Sequence, residues 1–391
     1  MKNPYIIIGG GIIGSTLARE IRKRDLADVV VLEKEKELAM HTSGRNSGVI
    51  HSGINQKPGT LKAKLCVEGN RIIRDYCRDN KLPYEQCGTL VIARNEEESS
   101  VLEKLLAIGT ANGAGGLRII GKKELEGKEP FVRGYKALYS PTGAIVDSRA
   151  LVRKVAEEAE SLGAEYKLDC EVLEITNNGV ITNKGEFNGY VINCAGLYAD
   201  KIAHMCGNGK NLLIIPFKGN YVEVNVQINS MVYQVPDLRY PFLGVHLTKS
   251  VEGKVLGGPT ATLSLRGRES YDGEFNFKEF FDTIMSKNFW NMAKSKEFLK
   301  LALNNGKISI FKNAFLEELN SILKIEVGEC DIKPYRAGIR AQIVDINGNM
   351  ADDFILEKSY NSLHILNAIS PGLTSSFAFV RYIADNYIKG H

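Results

Sequence analysis

The chain opens with short apolar runs separated by a segment of helical composition. Residues 5–8 and 29–32 are continuous, mostly β-branched runs, and each predicts a buried strand. Residues 15–23, which lie between them, have the composition of a helix. A strand, a helix and a second strand in this order are typical of the βαβ unit of a Rossmann-like domain.

A glycine motif joins the first strand to the helix. Gly9-Gly10-Gly11-Ile12-Ile13-Gly14 has the spacing G-x-G-x-x-G in its required setting. Gly9 permits the tight turn, Gly11 lets the backbone approach a pyrophosphate, and Gly14 lets the helix pack on the strand. Glu33 ends the second strand, where a carboxylate can accept both ribose hydroxyls and repels a 2′-phosphate. The pattern predicts a dinucleotide site and disfavours NADP.

The loop at residues 41–48 favours a flavin as the dinucleotide. It is polar and glycine-spaced, so its backbone and hydroxyl groups can wrap a bound cofactor. A nicotinamide enzyme that also carried FAD would need a second glycine fingerprint. The glycine-rich residues 113–116 have the wrong spacing for one and predict a turn.

Later segments add further elements. Apolar runs predict strands at residues 89–93, 190–196, 220–226, 255–256 and 362–366. Periodicity and end signals predict helices at residues 68–78, at 148–162, and from 371–372 onward. Nucleotide-domain and substrate-domain features alternate without a Pro- or Ser-rich linker. We therefore infer an α/β dinucleotide-binding domain from residues 1–80, 145–215 and 335–391, with an inserted α+β substrate domain from 81–144 and 216–334 built on an antiparallel sheet.

Composition narrows the class of protein. The 391 residues are 44% hydrophobic and 25% charged, as in ordinary globular proteins. A net charge of +4 is too small an excess to predict nucleic-acid binding. The seven cysteines contain no C-x-x-C pair, and no run approaches the ~18 apolar residues of a membrane span. We expect a cytoplasmic protein with free thiols, with peripheral contact to the inner face of the membrane as an alternative.

Longer stretches make the sequence recognisable. They are residues 43–53, 61–66, 86–90, 142–147, 194–200, 216–221, 241–246 and 370–376. In these the chain resembles the FAD-dependent oxidoreductases of the D-amino-acid oxidase and glycerol-3-phosphate dehydrogenase superfamily. Residues 233–237 leading into 241–246 are most similar to the L-2-hydroxyglutarate dehydrogenases and oxidases.

The resemblance implies a fold and a reaction. The fold is a glutathione-reductase-type FAD domain with an inserted substrate domain. The reaction is oxidation of a 2-hydroxy acid, with L-2-hydroxyglutarate giving 2-oxoglutarate as the best match, and with oxygen or a membrane quinone as electron acceptor. Three alternatives stay open: a glycerol-3-phosphate dehydrogenase-like enzyme, an amine or amino-acid oxidase, and a flavin electron relay without its own substrate.

The residues expected to contact FAD come from the motifs and the resemblance together. They are Gly9, Gly11, Ile12, Ile13, Gly14, Glu33, Lys34, Thr42, Ser43, Arg45, Asn46, Ser47, Gly48, Val172, Ala195, Gly196, Gly338, Gly372, Leu373 and Thr374. The N–H groups that open the last helix can stabilise negative charge on a reduced flavin. Relatives with covalent FAD often use a cysteine late in the chain. Cys330 does not sit in such a motif, so we expect non-covalent FAD.

Oxidation of a 2-hydroxy acid also needs a base for the hydroxyl proton. Histidine suits this role because its pKa lies near neutral pH. His51 follows a buried Val-Ile pair, and His246 lies in the stretch that matches the hydroxyglutarate group best. Both remain candidates for the base, and His364 on a predicted strand is a third, less favoured candidate.

The substrate carboxylate needs a cation, and the planar fork of arginine is preferred. Arg340 stands where the superfamily keeps such an arginine, and Arg336 is the fallback. Lys218 replaces an arginine that many relatives carry, which weakens the prediction of a second clamp there. Tyr221 and Tyr233 can either bind substrate or simply pack in strands.

Residues 275–303 combine aromatic side chains with lysines. Such a stretch can lie on a membrane, but amphipathic helices usually face a protein core. We therefore expect a pair of helices packed on the substrate domain.

Overall fold

The computed structural model describes residues 4–236 and 244–388. Part of the predicted hydroxyglutarate-specific segment, residues 237–243, lies outside the described residues.

Eleven α-helices form within the described residues. They are α1 (Ile12–Lys23), α2 (Leu61–Asp79), α3 (Glu96–Ala111), α4 (Lys122–Lys128), α5 (Ser148–Ser161), α6 (Ala199–Met205), α7 (Phe277–Ile284), α8 (Lys287–Ala293), α9 (Lys296–Ile310), α10 (Lys312–Ile322) and α11 (Gly372–Asn386).

The strands of the described residues fall into five sheets. The strands are β1 (Tyr5–Ile8), β2 (Val29–Leu32), β3 (Val49–Ile50), β4 (Tyr84–Glu85), β5 (Thr89–Ala93), β6 (Arg118–Gly121), β7 (Lys136–Ser140), β8 (Ala144–Val146), β9 (Glu165–Lys167), β10 (Val172–Thr176), β11 (Gly179–Thr182), β12 (Gly185–Asn188), β13 (Tyr190–Asn193), β14 (Leu212–Gly219), β15 (Val222–Val224), β16 (Met231–Gln234), β17 (His246–Lys249), β18 (Val255–Gly258), β19 (Thr262–Leu263), β20 (Ile332–Pro334), β21 (Gly338–Asp345), β22 (Leu356–Lys358) and β23 (Ser362–Ile365).

The first sheet is parallel and has the order β22-β23-β13-β1-β2-β9, with β22 antiparallel at one edge. Ile7 in β1 lies opposite Ile192 on one side and Val31 on the other. The central strands β1, β2 and β13 are mostly apolar because they are buried on both faces of the sheet. Helices α1, α2, α5 and α11 pack together over one face, around the fully buried Phe379.

The second sheet has eight strands in the order β20-β15-β18-β17-β16-β5-β7-β6. Among the described residues only the β16–β5 pair is parallel, so the sheet is mostly antiparallel. Helix α10 packs on one face through Phe315 and Leu319, and α3 packs on the other through Leu102 and Leu105. This sheet confirms the predicted α+β substrate architecture.

A third sheet, β19-β14-β21, joins the two larger ones. Strands β14 and β21 pair antiparallel from Leu212 opposite Asp345 to Gly219 opposite Gly338. This register places Arg340 opposite Phe217.

The predicted elements are present, with small differences at their ends. Helix α1 begins at Ile12 rather than at residue 15, since the last glycine of the motif already belongs to the helix. The run 190–196 is a strand only to Asn193, because Gly196 has a φ of +54° and opens a short 3-10 helix. Strand β15 is shorter than the predicted run 220–226. The predicted domain bounds stay a prediction.

The aromatic segment forms three helices, α7, α8 and α9, rather than the predicted pair. Helix α8 contacts β14 and β21, and α9 contacts β19. Phe289, Met292 and Phe298 are buried against these strands, as expected for helices packed on a core. Their outer sides keep large apolar residues exposed, among them Phe277, Phe281, Trp290, Leu299 and Leu303.

Candidate active site

A cavity of about 1520 Å³ runs between the parallel sheet and the antiparallel sheet. It starts at the carboxyl ends of β1 and β2, where open α/β sheets bind ligands, and reaches β16 and β17. Apart from Gly14 and Gly48, every residue predicted to bind cofactor or substrate lines it. The fold therefore brings the predicted residues to one place.

The glycine motif has the predicted form of a phosphate-binding turn. Gly9 has a φ of +104°, and a Cβ there would lie 2.6 Å from the carbonyl oxygen of Cys194. A Cβ at Gly14 would overlap the carbonyl oxygen of Gly9, which explains why Gly14 supports the turn without lining the cavity. A Cβ at Gly11 would lie 2.8 Å from Ser43 Oγ. The turn can therefore pack against its protein neighbours only because these three positions carry no side chain.

Glu33 is fixed beside this turn. Its Oε2 accepts from the amide of Gly10 at 2.8 Å, and its Oε1 accepts from the amide of Glu35 at 3.0 Å. Each carboxylate oxygen can accept more than one hydrogen bond, so both retain capacity for ribose hydroxyls. The residue is buried and lines the cavity, as the motif requires.

The loop 41–48 closes over the start of α1. Ser43 Oγ accepts from the amide of Ile12 at 3.0 Å. Asn46 donates to the carbonyl oxygens of Thr42 and Ser43 and accepts from the amide of Gly48, so it holds the loop in shape. Gly48 itself is a turn residue that does not line the cavity.

A cluster of charged and aromatic side chains flanks this loop. Lys34 Nζ forms ion pairs with Glu35 and, at 2.6 Å, with Glu269. His41 Nε2 lies 2.9 Å from Glu35 Oε1. The Arg45 guanidinium lies 4.0 Å from the ring centroid of Tyr271. These contacts tie residues 34–45 to residues 269–271 across the cavity wall, a role that the sequence motifs did not indicate.

The other end of the cofactor site is the first turn of α11. The first amides of a helix have no partner within it, and Leu373 and Thr374 stand in this turn and line the cavity. A Cβ added at Gly372 would meet nothing within 4 Å. Thr374 Oγ1 accepts from the amide of His51 at 3.0 Å, which fixes β3 to the helix start. Donors at both ends and a carboxylate at the ribose position fit FAD.

The two candidate histidines meet near β3 and β17. Burial lowers the pKa of each to about 4, and His51 contributes to the lowering at His246. His246 Nδ1 lies 2.8 Å from the carbonyl oxygen of Gly244, and its ring stacks on Tyr233 at 4.2 Å between centroids. Because a carbonyl only accepts, Nδ1 carries the proton, which leaves Nε2 unprotonated and able to accept one.

Arg340 and Lys62 also line this cavity. Burial lowers the pKa of Arg340 to about 10, so the guanidinium stays charged at neutral pH. Lys62 is only 5% exposed, and its Nζ donates to the carbonyl oxygen of Asp352 at 2.5 Å. Burial, followed by the charge of Arg340, lowers the pKa of Lys62 to about 8. The cavity can therefore hold anionic groups.

The other predicted polar residues differ in their surroundings. Tyr221 and Tyr233 line the cavity, and burial raises the pKa of Tyr221 to about 12. Lys218 also lines it, but its Nζ donates to the carbonyl oxygen of Tyr271, so the ammonium already has a protein acceptor.

The less favoured base, His364, and the fallback cation, Arg336, do not line the cavity. His364 is buried, with Nε2 at 2.9 Å from Ser362 Oγ and 3.2 Å from Cys206 Sγ. The Arg336 guanidinium lies 5.6 Å from the ring centroid of Tyr335.

Lys62 is the site residue that sequence reasoning missed. A signal for it was present, since buried residues recur along α2 with helical spacing and Lys62 falls in phase with Cys66, Gly69 and Ile73. A lysine on the buried face of a helix is unusual and points to a special environment.

Comparisons with known proteins agree with this geometry. The family model described as "FAD dependent oxidoreductase" matches residues 4–386. The L-2-hydroxyglutarate dehydrogenase of Indibacter alkaliphilus is 38% identical, with 100% of both chains covered. The mitochondrial protein of that name from Mus musculus is 36% identical, covering 97% of this chain and 87% of the relative. The Escherichia coli K12 protein of that name is 33% identical, covering 97% and 92%.

Solved structures share the fold. L-α-glycerophosphate oxidase from Mycoplasma pneumoniae superposes with a TM-score of 0.75 at 24% identity, covering 100% of this chain and 98% of that one. Glycine oxidase from Bacillus cereus gives a TM-score of 0.70 at 19% identity, covering 98% and 96%. The predicted resemblance is thus confirmed over the whole chain, and the protein belongs to the family of FAD-dependent oxidoreductases.

Proposed function

We propose that this protein oxidises L-2-hydroxyglutarate to 2-oxoglutarate with non-covalently bound FAD. The observation that supports it best is the placement of two histidines of low pKa and the cation Arg340 in the cavity that also carries the dinucleotide motif. Relatives at 33–38% identity are named for this dehydrogenase activity.

The chemistry divides between the cofactor and the protein. When held by the glycine turn, Glu33 and the first turn of α11, FAD would supply the hydride acceptor, its N5, for oxidation at C2 of the substrate. His51 or His246 takes the proton of the 2-hydroxyl group, for which it must be neutral beforehand. The low pKa values supply that neutral form, and the unprotonated Nε2 suits His246 to accept a proton.

Arg340 holds the carboxylate next to the reacting carbon. It lies on β21, a strand fixed along its whole length by β14, so its position is rigid. A planar guanidinium can bind both carboxylate oxygens and so fixes the rotation of the C2 centre. Tyr221 and Tyr233 add neutral hydroxyl groups to the same cavity.

Non-covalent binding of FAD is supported by the positions of the cysteines. Cys330 is exposed and does not line the cavity. Cys170 and Cys194 do line it, but burial raises the pKa of the Cys194 thiol, which keeps it protonated and poorly nucleophilic. Acid precipitation should release all the FAD into the supernatant.

Oxygen or a membrane quinone is the proposed electron acceptor. Residues 275–312 contain seven lysines against three acids, and Phe277 and Trp290 on their helices are 69% and 54% exposed. Basic faces with exposed aromatic residues bind anionic membrane surfaces peripherally. Among the described residues no helix is both long and apolar enough to cross a bilayer. Flotation with anionic but not neutral vesicles, and its loss in a Phe277→Ser/Trp290→Ser variant, would support membrane contact.

The substrate assignment is tested by anaerobic bleaching of the flavin. L-2-hydroxyglutarate, its D-enantiomer, L-lactate, glycerol-3-phosphate and glycine are mixed separately with the purified holoprotein. We expect rapid bleaching with L-2-hydroxyglutarate alone. Bleaching by glycerol-3-phosphate instead would indicate a glycerol-3-phosphate dehydrogenase-like enzyme, and bleaching by glycine would indicate an amine or amino-acid oxidase. A yellow protein that no donor bleaches would favour an electron relay.

A further inference from the structure

Lys62 occupies a position that is unfavourable for a lysine in three ways. It is 5% exposed, so its ammonium group has lost most of its water. It stands in the first turn of α2, a helix of 19 residues, where the macrodipole repels positive charge. It also lines the same cavity as another cation, Arg340, whose charge acts on it. A cation placed against all three effects indicates an anionic ligand.

The protein neighbours of Lys62 hold it without neutralising it fully. The carboxylate of Asp353 accepts from the amides of Leu61 and Lys62, at 3.0 and 2.9 Å, and so anchors the start of α2. Nζ donates to the neutral carbonyl oxygen of Asp352 at 2.5 Å, while the Asp352 side chain is exposed. Both acids oppose the lowering of the Lys62 pKa, but burial and Arg340 outweigh them, and the pKa falls to about 8.

An ammonium group has three N–H donors, and Asp352 uses one. The remaining two can face the cavity, since Lys62 belongs to its lining together with His51 and Arg340. A ligand with two carboxylates can thus be met by two cations. A ligand with one carboxylate would provide an anionic partner for only one of these two cations.

We propose that Lys62 is the specificity-determining residue of the substrate site. Lys62 binds the distal carboxylate of a five-carbon 2-hydroxy dicarboxylic acid, and Arg340 binds the carboxylate beside the hydroxyl group. This inference rests on the proposed function, because it assumes a 2-hydroxy acid in this cavity. It assigns the selection of dicarboxylates over 2-hydroxy monocarboxylic acids to one side chain.

The competing explanation is structural. In that case Lys62 only ties α2 to the 352–353 turn through its hydrogen bond to the Asp352 carbonyl. Such a role predicts equal losses for every substrate when the side chain is changed. A charge-specific role predicts a loss only for substrates that carry the distal negative charge.

The experiment compares two substrates and two lysines in the same helical turn. The substrates are L-2-hydroxyglutarate and its 5-amide, which has the same shape but no distal charge. The variants are Lys62→Met and, as the matched control, Lys64→Met, since Lys64 is exposed and does not line the cavity. Anaerobic flavin reduction of the holoprotein over a range of substrate concentrations gives the limiting rate and the half-saturating concentration for each pair, and their ratio is the kcat/KM of the donor half-reaction.

We expect Lys62→Met to lower kcat/KM for L-2-hydroxyglutarate by about 10- to 150-fold, the range for a hydrogen bond to a charged group. The loss should fall mostly on KM, because the distal contact is the same in ground and transition states. The 5-amide should change by less than about threefold, and Lys64→Met should leave both substrates unchanged. Equal losses for both substrates would overturn the proposal.

Two further substitutions of Lys62 separate loss of its charge from loss of folding or of FAD. If Lys62→Met is isolated without FAD, Lys62→Gln carries the comparison, because its amide can still donate to the Asp352 carbonyl. Lys62→Arg should restore much of the discrimination, since it retains the charge. Failure of the proposed function is visible separately, because the unchanged protein would then not be bleached by L-2-hydroxyglutarate at all.

Discussion

Acidification tests whether the proposed base is held neutral by the fold. Burial lowers the pKa of His51 and of His246 to about 4, against about 6.5 for an exposed imidazole. The neutral form is the active one, so activity is lost as the pH falls through the pKa. At pH 5.5 a base with a pKa of 4 is about 97% neutral, whereas one with a pKa of 6.5 would be only about 9% neutral.

The assay is rapid-mixing reduction of the bound flavin by L-2-hydroxyglutarate under anaerobic conditions, at substrate concentrations below saturation. The resulting second-order rate constant reports the free enzyme. We expect it to stay level from neutral pH down to about pH 5. An acid limb centred between about pH 6 and 7 would show that the base titrates like an exposed histidine and would refute the reasoning.

His51→Asn and His246→Asn, compared at neutral pH, identify which histidine is the base. Loss of general-base catalysis lowers the rate of flavin reduction by about 10²- to 10⁴-fold. Replacing the histidine that acts as the base should cause this loss, and replacing the other histidine should leave most of the rate. Similar small losses in both would mean that neither histidine accepts the proton.

Three further predictions concern charge. The Lys62 pKa of about 8 makes kcat/KM for L-2-hydroxyglutarate fall above about pH 8, because the charged form binds; Lys62→Arg should move this fall to higher pH. Glu33→Gln should lower the affinity for FAD about 10-fold or more, measured by fluorescence titration. Glu37 is an exposed acid nearby, and Glu37→Gln should leave the affinity unchanged. Arg268→Met leaves Asp200, 1% exposed, without its ion-pair partner, so the free energy of unfolding in urea should drop by about 3–5 kcal/mol; a drop under about 1 kcal/mol would contradict this.

The cofactor half of the site could be predicted from sequence because its signals are local. The strand, the glycine turn and the start of α1 are consecutive, and Glu33 lies at the end of the next strand. Steric room at a turn depends on neighbouring residues, so the spacing of glycines carries the geometry. The loop 41–48 likewise keeps its shape through bonds within a few residues, as those of Asn46 show.

The substrate half depended on contacts between distant segments. His51 and His246 meet only because β17 joins β16 and β18 in the antiparallel sheet while His51 is tied to α11 through Thr374. No periodicity in either segment records that meeting. Lys218 has the right charge for the site, but the fold directs its ammonium to the carbonyl of Tyr271.

The sequence by itself therefore determined the opening β1-α1-β2 unit, several of the later strands and helices, the dinucleotide turn and the candidate residue types. Only the tertiary structure decided which of those residues face one another and which charges are buried. The physical reason is range: turns, caps and periodicity act over about four residues, whereas desolvation depends on every segment packed around a group. Lys62 illustrates the difference, since its position was visible in the helix of Leu61–Asp79 while its environment came from residues 340–353.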